Sequence, residues 1–221
     1  MAEIIGISAG RKNKVCESVV RTVLEGTGMP YDFISLSGKL IRPCEACNGC
    51  VNTNRCILND DFQPIIEKIG HAKALVFGAP TYWGHMNAKG QTFWERLCFS
   101  GRHNAAFPFA GKLGVIAAIS GKGDGRHVIR DLKEYFSDCR IKPVGHVVAQ
   151  GEYACFTCTY GNKCSVGGFA ELFPLGTPIT DDIIPSISNQ HPELCNLKPG
   201  ERNITEKARL EGANLAKKLM C

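Results

Sequence analysis

Four cysteines in one short stretch hold the clearest chemistry in this chain. Residues 42–56 read RPCEACNGCVNTNRC, and Cys44, Cys47, Cys50 and Cys56 stand at gaps of two, two and five residues. The stretch is rich in turn formers, with Pro43, Gly49 and several asparagines, so its thiolates can converge on one centre with little chain between them. Cube-type iron–sulfur clusters need four thiolates around a compact core, and short C-x2-C-x2-C runs supply them. Zinc is the weaker reading, because structural zinc usually draws on two separated cysteine pairs. Disulfides would give no reason for the regular spacing.

A second group, Cys155, Cys158 and Cys164, repeats the gaps of two and five within YACFTCTYGNKCSVGG. Three readings stay open for it: a second iron–sulfur centre, a zinc-stapled loop, or thiols without a metal. Cys139, Cys195, Cys221 and His191 are available as a fourth ligand. Cys16 and Cys98 fall in predicted helices and read as small buried hydrophobes.

Three loops suggest an anionic, flat ligand. Ser8-Ala9-Gly10-Arg11-Lys12-Asn13-Lys14 offers a hydroxyl, a glycine and three cations just before a predicted helix, where free N–H groups and the helix dipole favour a phosphate. Ala79-Pro80-Thr81-Tyr82-Trp83-Gly84-His85-Met86 is apolar and aromatic, which suits the edge and face of a heterocycle or, equally, the covering of a sheet end. Ser120-Gly121-Lys122-Gly123-Asp124-Gly125 lets backbone approach a ligand closely. His85 is placed to donate a proton to a reduced substrate, and a surface turn histidine is the competing reading.

These loops need elements to position them. Apolar runs at 3–8, 31–36, 73–78, 113–119 and 142–149 alternate with helix-like periodicity over about 14–27, 61–70, 87–99 and 125–138. Strands separated by helices at this period predict an α/β fold, with a doubly wound parallel sheet of five strands. In such sheets the ligand sits outside the carboxyl ends of the strands, where the loops above fall. Residues 1–150 form this domain, with a cysteine-rich loop at 42–60 after strand two. Residues 151–200 are an irregular cysteine-rich extension, and 201–221 supply a last helix with Ala208, Leu215 and Leu219 on one side.

Composition excludes several classes. The 221 residues are 44% hydrophobic and 21% charged, which is ordinary for a globular chain. No apolar run is long enough for a membrane span, and the net charge of +5 is scattered rather than gathered into a nucleic-acid footprint. Twelve cysteines without a visible secretory signal predict a reducing, cytoplasmic setting.

The phosphate loop GISAGRKNK, the stretch PTYWGHMNAKGQTFWER and the cysteine motif between them together resemble the iron–sulfur flavoproteins, within the flavodoxin-like, NADPH-dependent FMN reductase group. The resemblance covers about residues 3–150. It implies a flavodoxin-like fold, FMN at the strand ends, one [4Fe–4S] cluster, and a homodimer or homotetramer. It also implies electrons taken from a ferredoxin-like donor, passed between cluster and FMN, and delivered to a small acceptor. By this resemblance Ser8, Arg11, Lys12 and Asn13 would hold the FMN phosphate. Pro80, Thr81, Tyr82, Trp83 and Gly84 would line the isoalloxazine, with Ser120 and Gly121 nearby, and Cys44, Cys47, Cys50 and Cys56 would ligate the cluster. The phosphate loop departs from the family pattern SxSPRKNGNT: it is one residue shorter, and Lys14-Val15-Cys16 replaces the Gly-Asn-Thr end. Two other functions compete: a pure electron carrier without an organic substrate, and an NAD(P)H-dependent FMN or quinone reductase with structural zinc.

Overall fold

The computed structural model describes residues 2–121, 124–151 and 202–221. Its centre is β1 (Ile4–Ser8), whose five residues are all buried because helices cover both faces of the sheet. In chain order follow α1 (Val15–Gly26), β2 (Tyr31–Ser35), α2 (Phe62–His71) and β3 (Ala74–Tyr82). Then come β4 (His85–Met86), α3 (Ala88–Gly101), β5 (Leu113–Ser120), α4 (Arg126–Asp138), β6 (Lys142–Gln150) and α5 (Arg202–Met220). The parallel strands lie in the order β2-β1-β3-β5-β6, with Ile4 beside Tyr31 on one side and beside Ala74 on the other. This is the doubly wound parallel sheet of five strands expected from the alternation, in the flavodoxin-like form that the resemblance implies, with a switch point between β1 and β3.

Two apolar layers hold the helices. Val15, Val19, Val20 and Val23 of α1 pack with Ala208 and Leu215 of α5 on one face of the sheet. Phe62, Ile65 and Ile69 of α2, Phe93, Trp94 and Leu97 of α3, and Val128, Leu132 and Phe136 of α4 fill the other. Helix α5 lies close enough to α1 that a Cβ on Gly212 would collide with the Val23 carbonyl and the Gly26 backbone.

One element departs from the sequence expectation. Strand β3 does not stop at residue 78 but runs on to Tyr82, and it turns back as the two-residue strand β4. Tyr82 pairs with His85, so Trp83 and Gly84 are the two central residues of a tight hairpin. Both sit in the left-handed region, at φ 53° and 80°, as a hairpin of the type I′ family requires. The segment 79–86, expected as a loop, is therefore a hairpin flap.

Candidate cofactor sites

A cleft opens at the switch point, where β1 and β3 diverge. One wall is Gly10, Arg11 and the first turn of α1, the other is Pro80, Thr81 and Tyr82, and Gly121 and Gly151 close it. The first loop is built from inside. The Ala9 N–H donates to the Gly78 carbonyl at 2.8 Å, and the Gly10 N–H donates to Ser8 Oγ at 3.2 Å. Asn87 Nδ2 donates to the Ala9 carbonyl at 2.8 Å, tying the start of α3 to the loop. No side-chain bond caps the α1 N-terminus at Lys14, so its first turn is presented to the cleft as an anion-binding end.

The residues expected at this site are placed unequally. Arg11 lines the cleft, whereas Lys12 and Asn13 are exposed on the loop. Asn13 gives its N–H to the buried Glu17 carboxylate at 2.8 Å. Ser8 is fully buried and its hydroxyl braces Gly10. Lys14, Val15 and Cys16 enter the wall instead. Burial pushes the Cys16 thiol up to about 12, so it stays protonated there. Pro80, Thr81 and Tyr82 face the cleft from β3. Gly84 completes the hairpin, whose tip, Trp83, is 96% exposed. Ser120 ends β5, buried, and accepts the Gly151 N–H at 2.9 Å, with Gly121 beside it. His85 is exposed, its ring centroid 6.0 Å from that of His127. Thr81 Oγ1 is buried without a hydrogen-bond partner. A buried hydroxyl left unpaired is costly, and Thr81 lines the same cleft as Arg11 and the α1 N-terminus. The residues fit a flat, phosphorylated ligand such as FMN.

The second site is the cysteine loop. Cys44, Cys47, Cys50 and Cys56 line one cavity, together with Ile57, Phe99 and Ser100. Left-handed residues at Ala46, Asn48 and Asn54 make the tight turns that bring them there. The Asn54 N–H donates to the Cys50 carbonyl at 2.8 Å. Burial pushes the Cys50 thiol up, and the neighbouring charges of Cys56, Cys44 and Cys47 push the same way. A bound cation relieves such crowding. The thiols stand around the cavity rather than on one point: among the described residues, no group of three or more His, Cys, Asp or Glu side chains is drawn together as for a single ion. The all-thiolate set, spread around one cavity, fits an iron–sulfur core. Cys155, Cys158 and Cys164 lie outside the described residues.

The base of this loop is held by residues the cysteine spacing could not reveal. The Asp60 carboxylate accepts the Arg42 N–H at 2.9 Å and the Phe62 N–H at 3.0 Å. Asp61 accepts the Leu40 N–H at 2.8 Å. Arg96 of α3 is wholly buried, pairs with Asp60 at 2.5 Å, and donates to the Arg42 carbonyl at 3.1 Å. Its other arm donates to Cys56 Sγ at 3.0 Å. Burial opposes ionisation of Asp60, but the bonds from Arg96, Arg42 and Phe62 outweigh it and hold the carboxyl below the usual range. His103 Nε2 lies 3.3 Å from Cys50 Sγ, and Asn104 Nδ2 donates to the Val51 carbonyl at 2.7 Å. Lys89, at the start of α3, donates to the Leu36 and Lys39 carbonyls at 3.0 and 3.1 Å. Helix α3 thus starts beside the flap and ends beside the cysteines.

Comparison with known proteins agrees with this geometry. Residues 2–154 match the family model of NADPH-dependent FMN reductases. An iron–sulfur flavoprotein of Methanosarcina thermophila is 30% identical over 127 residues, covering 56% of this chain and 65% of the relative. One from Archaeoglobus fulgidus is 31% identical over 121 residues, covering 53% and 62%. The matched region therefore spans a little under two thirds of these two relatives. Among solved structures, the NAD(P)H:quinone oxidoreductase of Methanothermobacter marburgensis shares the fold at a TM-score of 0.56 and 17% identity, covering 96% of this chain and 94% of its own. With its parallel sheet, its switch-point cleft and a family match across most of its length, the chain belongs to the NADPH-dependent FMN reductase family.

Proposed function

We propose that the protein is an FMN-dependent oxidoreductase carrying a [4Fe–4S] cluster on Cys44, Cys47, Cys50 and Cys56. In this reading it takes electrons from a ferredoxin-like donor, passes them between cluster and FMN, and reduces a small acceptor as a homodimer or homotetramer. The carrying observation is that four thiols of one loop line a single cavity, braced by the same helix that begins at the flavin-type cleft. Bound FMN exchanges one or two electrons and a cluster one, so the pair converts between one- and two-electron chemistry.

The chain's own residues bind and orient. Arg11 and the α1 N-terminus hold the phosphate end, with Lys12 and Asn13 on the same loop. Thr81 and Tyr82 would flank the ring from β3, with Trp83 beside them at the hairpin tip. Arg96 donates to the Cys56 sulfur and so stabilises its charge. His85, exposed on β4 beside His127, would be the proton donor to the acceptor.

The test is to measure iron, acid-labile sulfide, zinc and FMN per chain on anaerobically purified protein. About four irons with one FMN per chain supports a single cluster. About eight irons adds a second centre on Cys155, Cys158 and Cys164. Zinc without sulfide refutes the cluster and leaves a flavin reductase with structural zinc.

A further inference from the structure

Cys98 and Cys139 bring two more thiols together, outside the cysteine loop and outside the cleft. Cys98 lies in the last turn of α3 and Cys139 caps the end of α4. Their Sγ atoms are 3.1 Å apart across 41 residues of sequence. Cys98 also points its S–H at the Tyr135 carbonyl, 3.7 Å away. The register of the two helices around this pair is set by Tyr135. Its ring stacks on Trp94 with centroids 5.9 Å apart, and its hydroxyl donates to Gln91 Oε1 at 2.7 Å. The sulfurs thus meet by the packing of rigid helices, not by chance on a loop.

The two thiols differ in access. Cys139 is buried at 4% exposure, whereas Cys98 is only partly buried. The hydrogen bond with Cys98 and then burial push the Cys139 thiol far up, with Asp138 adding to the effect. Cys98 is thus the sulfur a peroxide reaches first, and Cys139 behind it is placed as the resolving thiol. A disulfide bond of about 2.05 Å asks the sulfurs to close by roughly 1 Å from their 3.1 Å separation.

We propose that Cys98 and Cys139 are a thiol-oxidation site that closes to an intramolecular disulfide when the protein meets a peroxide. The Cys98 sulfur attacks one peroxide oxygen and the O–O bond breaks, leaving a sulfenic acid on Cys98 and a hydroxide that takes up the proton given up by the Cys98 thiol and leaves as water. The Cys139 sulfur then gives up its proton and displaces the sulfenic hydroxyl as a second water, forming the S–S bond. Two thiols lose two protons and two electrons, and the peroxide is reduced to two waters. The bond ties the end of α3, from which Arg96 reaches Cys56, to α4.

The test uses the full chain, purified anaerobically, treated with hydrogen peroxide, alkylated under denaturing conditions and mapped by peptide mass spectrometry. The expected result is loss of alkylation at both Cys98 and Cys139, and a linked peptide lighter by two hydrogens that dithiothreitol removes. In Cys139→Ser the oxidation stops at a Cys98 sulfenic acid, trapped by dimedone. Both cysteines remaining alkylated, or Cys98 joined to a different cysteine, would overturn the proposal. So would a link that forms only after the far-ultraviolet circular dichroism has collapsed. The wild-type map decides alone if the variant does not fold.

Discussion

Replacing Trp83 with asparagine is expected to move stability and flavin affinity in opposite directions. Trp83 is held at φ 53°, and a bulky residue in the left-handed region costs about 1–3 kcal/mol. It contributes almost no burial in return, since 96% of its surface is exposed. Asparagine tolerates this backbone far better, and Asn-Gly is the preferred pair for a hairpin of this geometry. Trp83→Asn should therefore stabilise the flavin-free protein by about 1 kcal/mol, raising Tm by roughly 2–4 °C for a chain of this size. Removal of an aromatic face from the ring should weaken FMN by about 0.5–1.5 kcal/mol, a two- to tenfold rise in Kd. Thermal unfolding of flavin-free wild type and variant, with fluorescence titration of FMN, reads both quantities. A lower Tm would refute the strain argument. An unchanged Kd would remove Trp83 from the flavin site.

Three other perturbations follow from the packing. Arg96→Met strands the buried Asp60 carboxylate and should cost about 3–5 kcal/mol in urea unfolding, while Arg96→Met with Asp60→Leu should recover most of it; equal losses in single and double variants would contradict this. Because the Asp60 carboxyl is held below its unfolded value, its stabilisation is present above about pH 3.9 and lost as pH falls through the folded value. An acid titration followed by circular dichroism should thus be shallower in Asp60→Asn than in wild type. Gly212→Ala places a Cβ against the backbone of α1 at Val23 and Gly26, and should cost about 1–3 kcal/mol by pushing α5 off the sheet; an unchanged denaturation midpoint would show that α5 can yield.

Much of the fold and of the cysteine site was legible in the linear chain. Apolar runs such as IIGIS and LGVIAAIS can only be strands buried on two faces, and the valines of α1 repeat at helical spacing, so alternation alone determined a doubly wound sheet. The spacing of Cys44, Cys47, Cys50 and Cys56 brought them together because neighbours in sequence cannot be far apart in space. Asp60 and Asp61 stand just before α2, where capping residues belong, yet they mostly close the cysteine loop, a role set by backbone groups at Leu40 and Arg42 that are 21 and 18 residues away. Arg96, His103 and Lys89 reach the site from α3 and the turn after it, and no local pattern separates a buried arginine from a solvated one. The Trp83-Gly84 turn looked like a loop because tryptophan is a poor residue for left-handed backbone, and only the pairing of Tyr82 with His85 imposes it. In the sequence Cys98 reads as a small buried hydrophobe and Cys139 as an available ligand for the second cysteine group, and only the packing of α3 and α4 brings their sulfurs together. Local spacing determined the strands and the cysteine loop, while tertiary packing decided which distant side chains brace them, because those contacts depend on how α3 and α4 lie across the sheet.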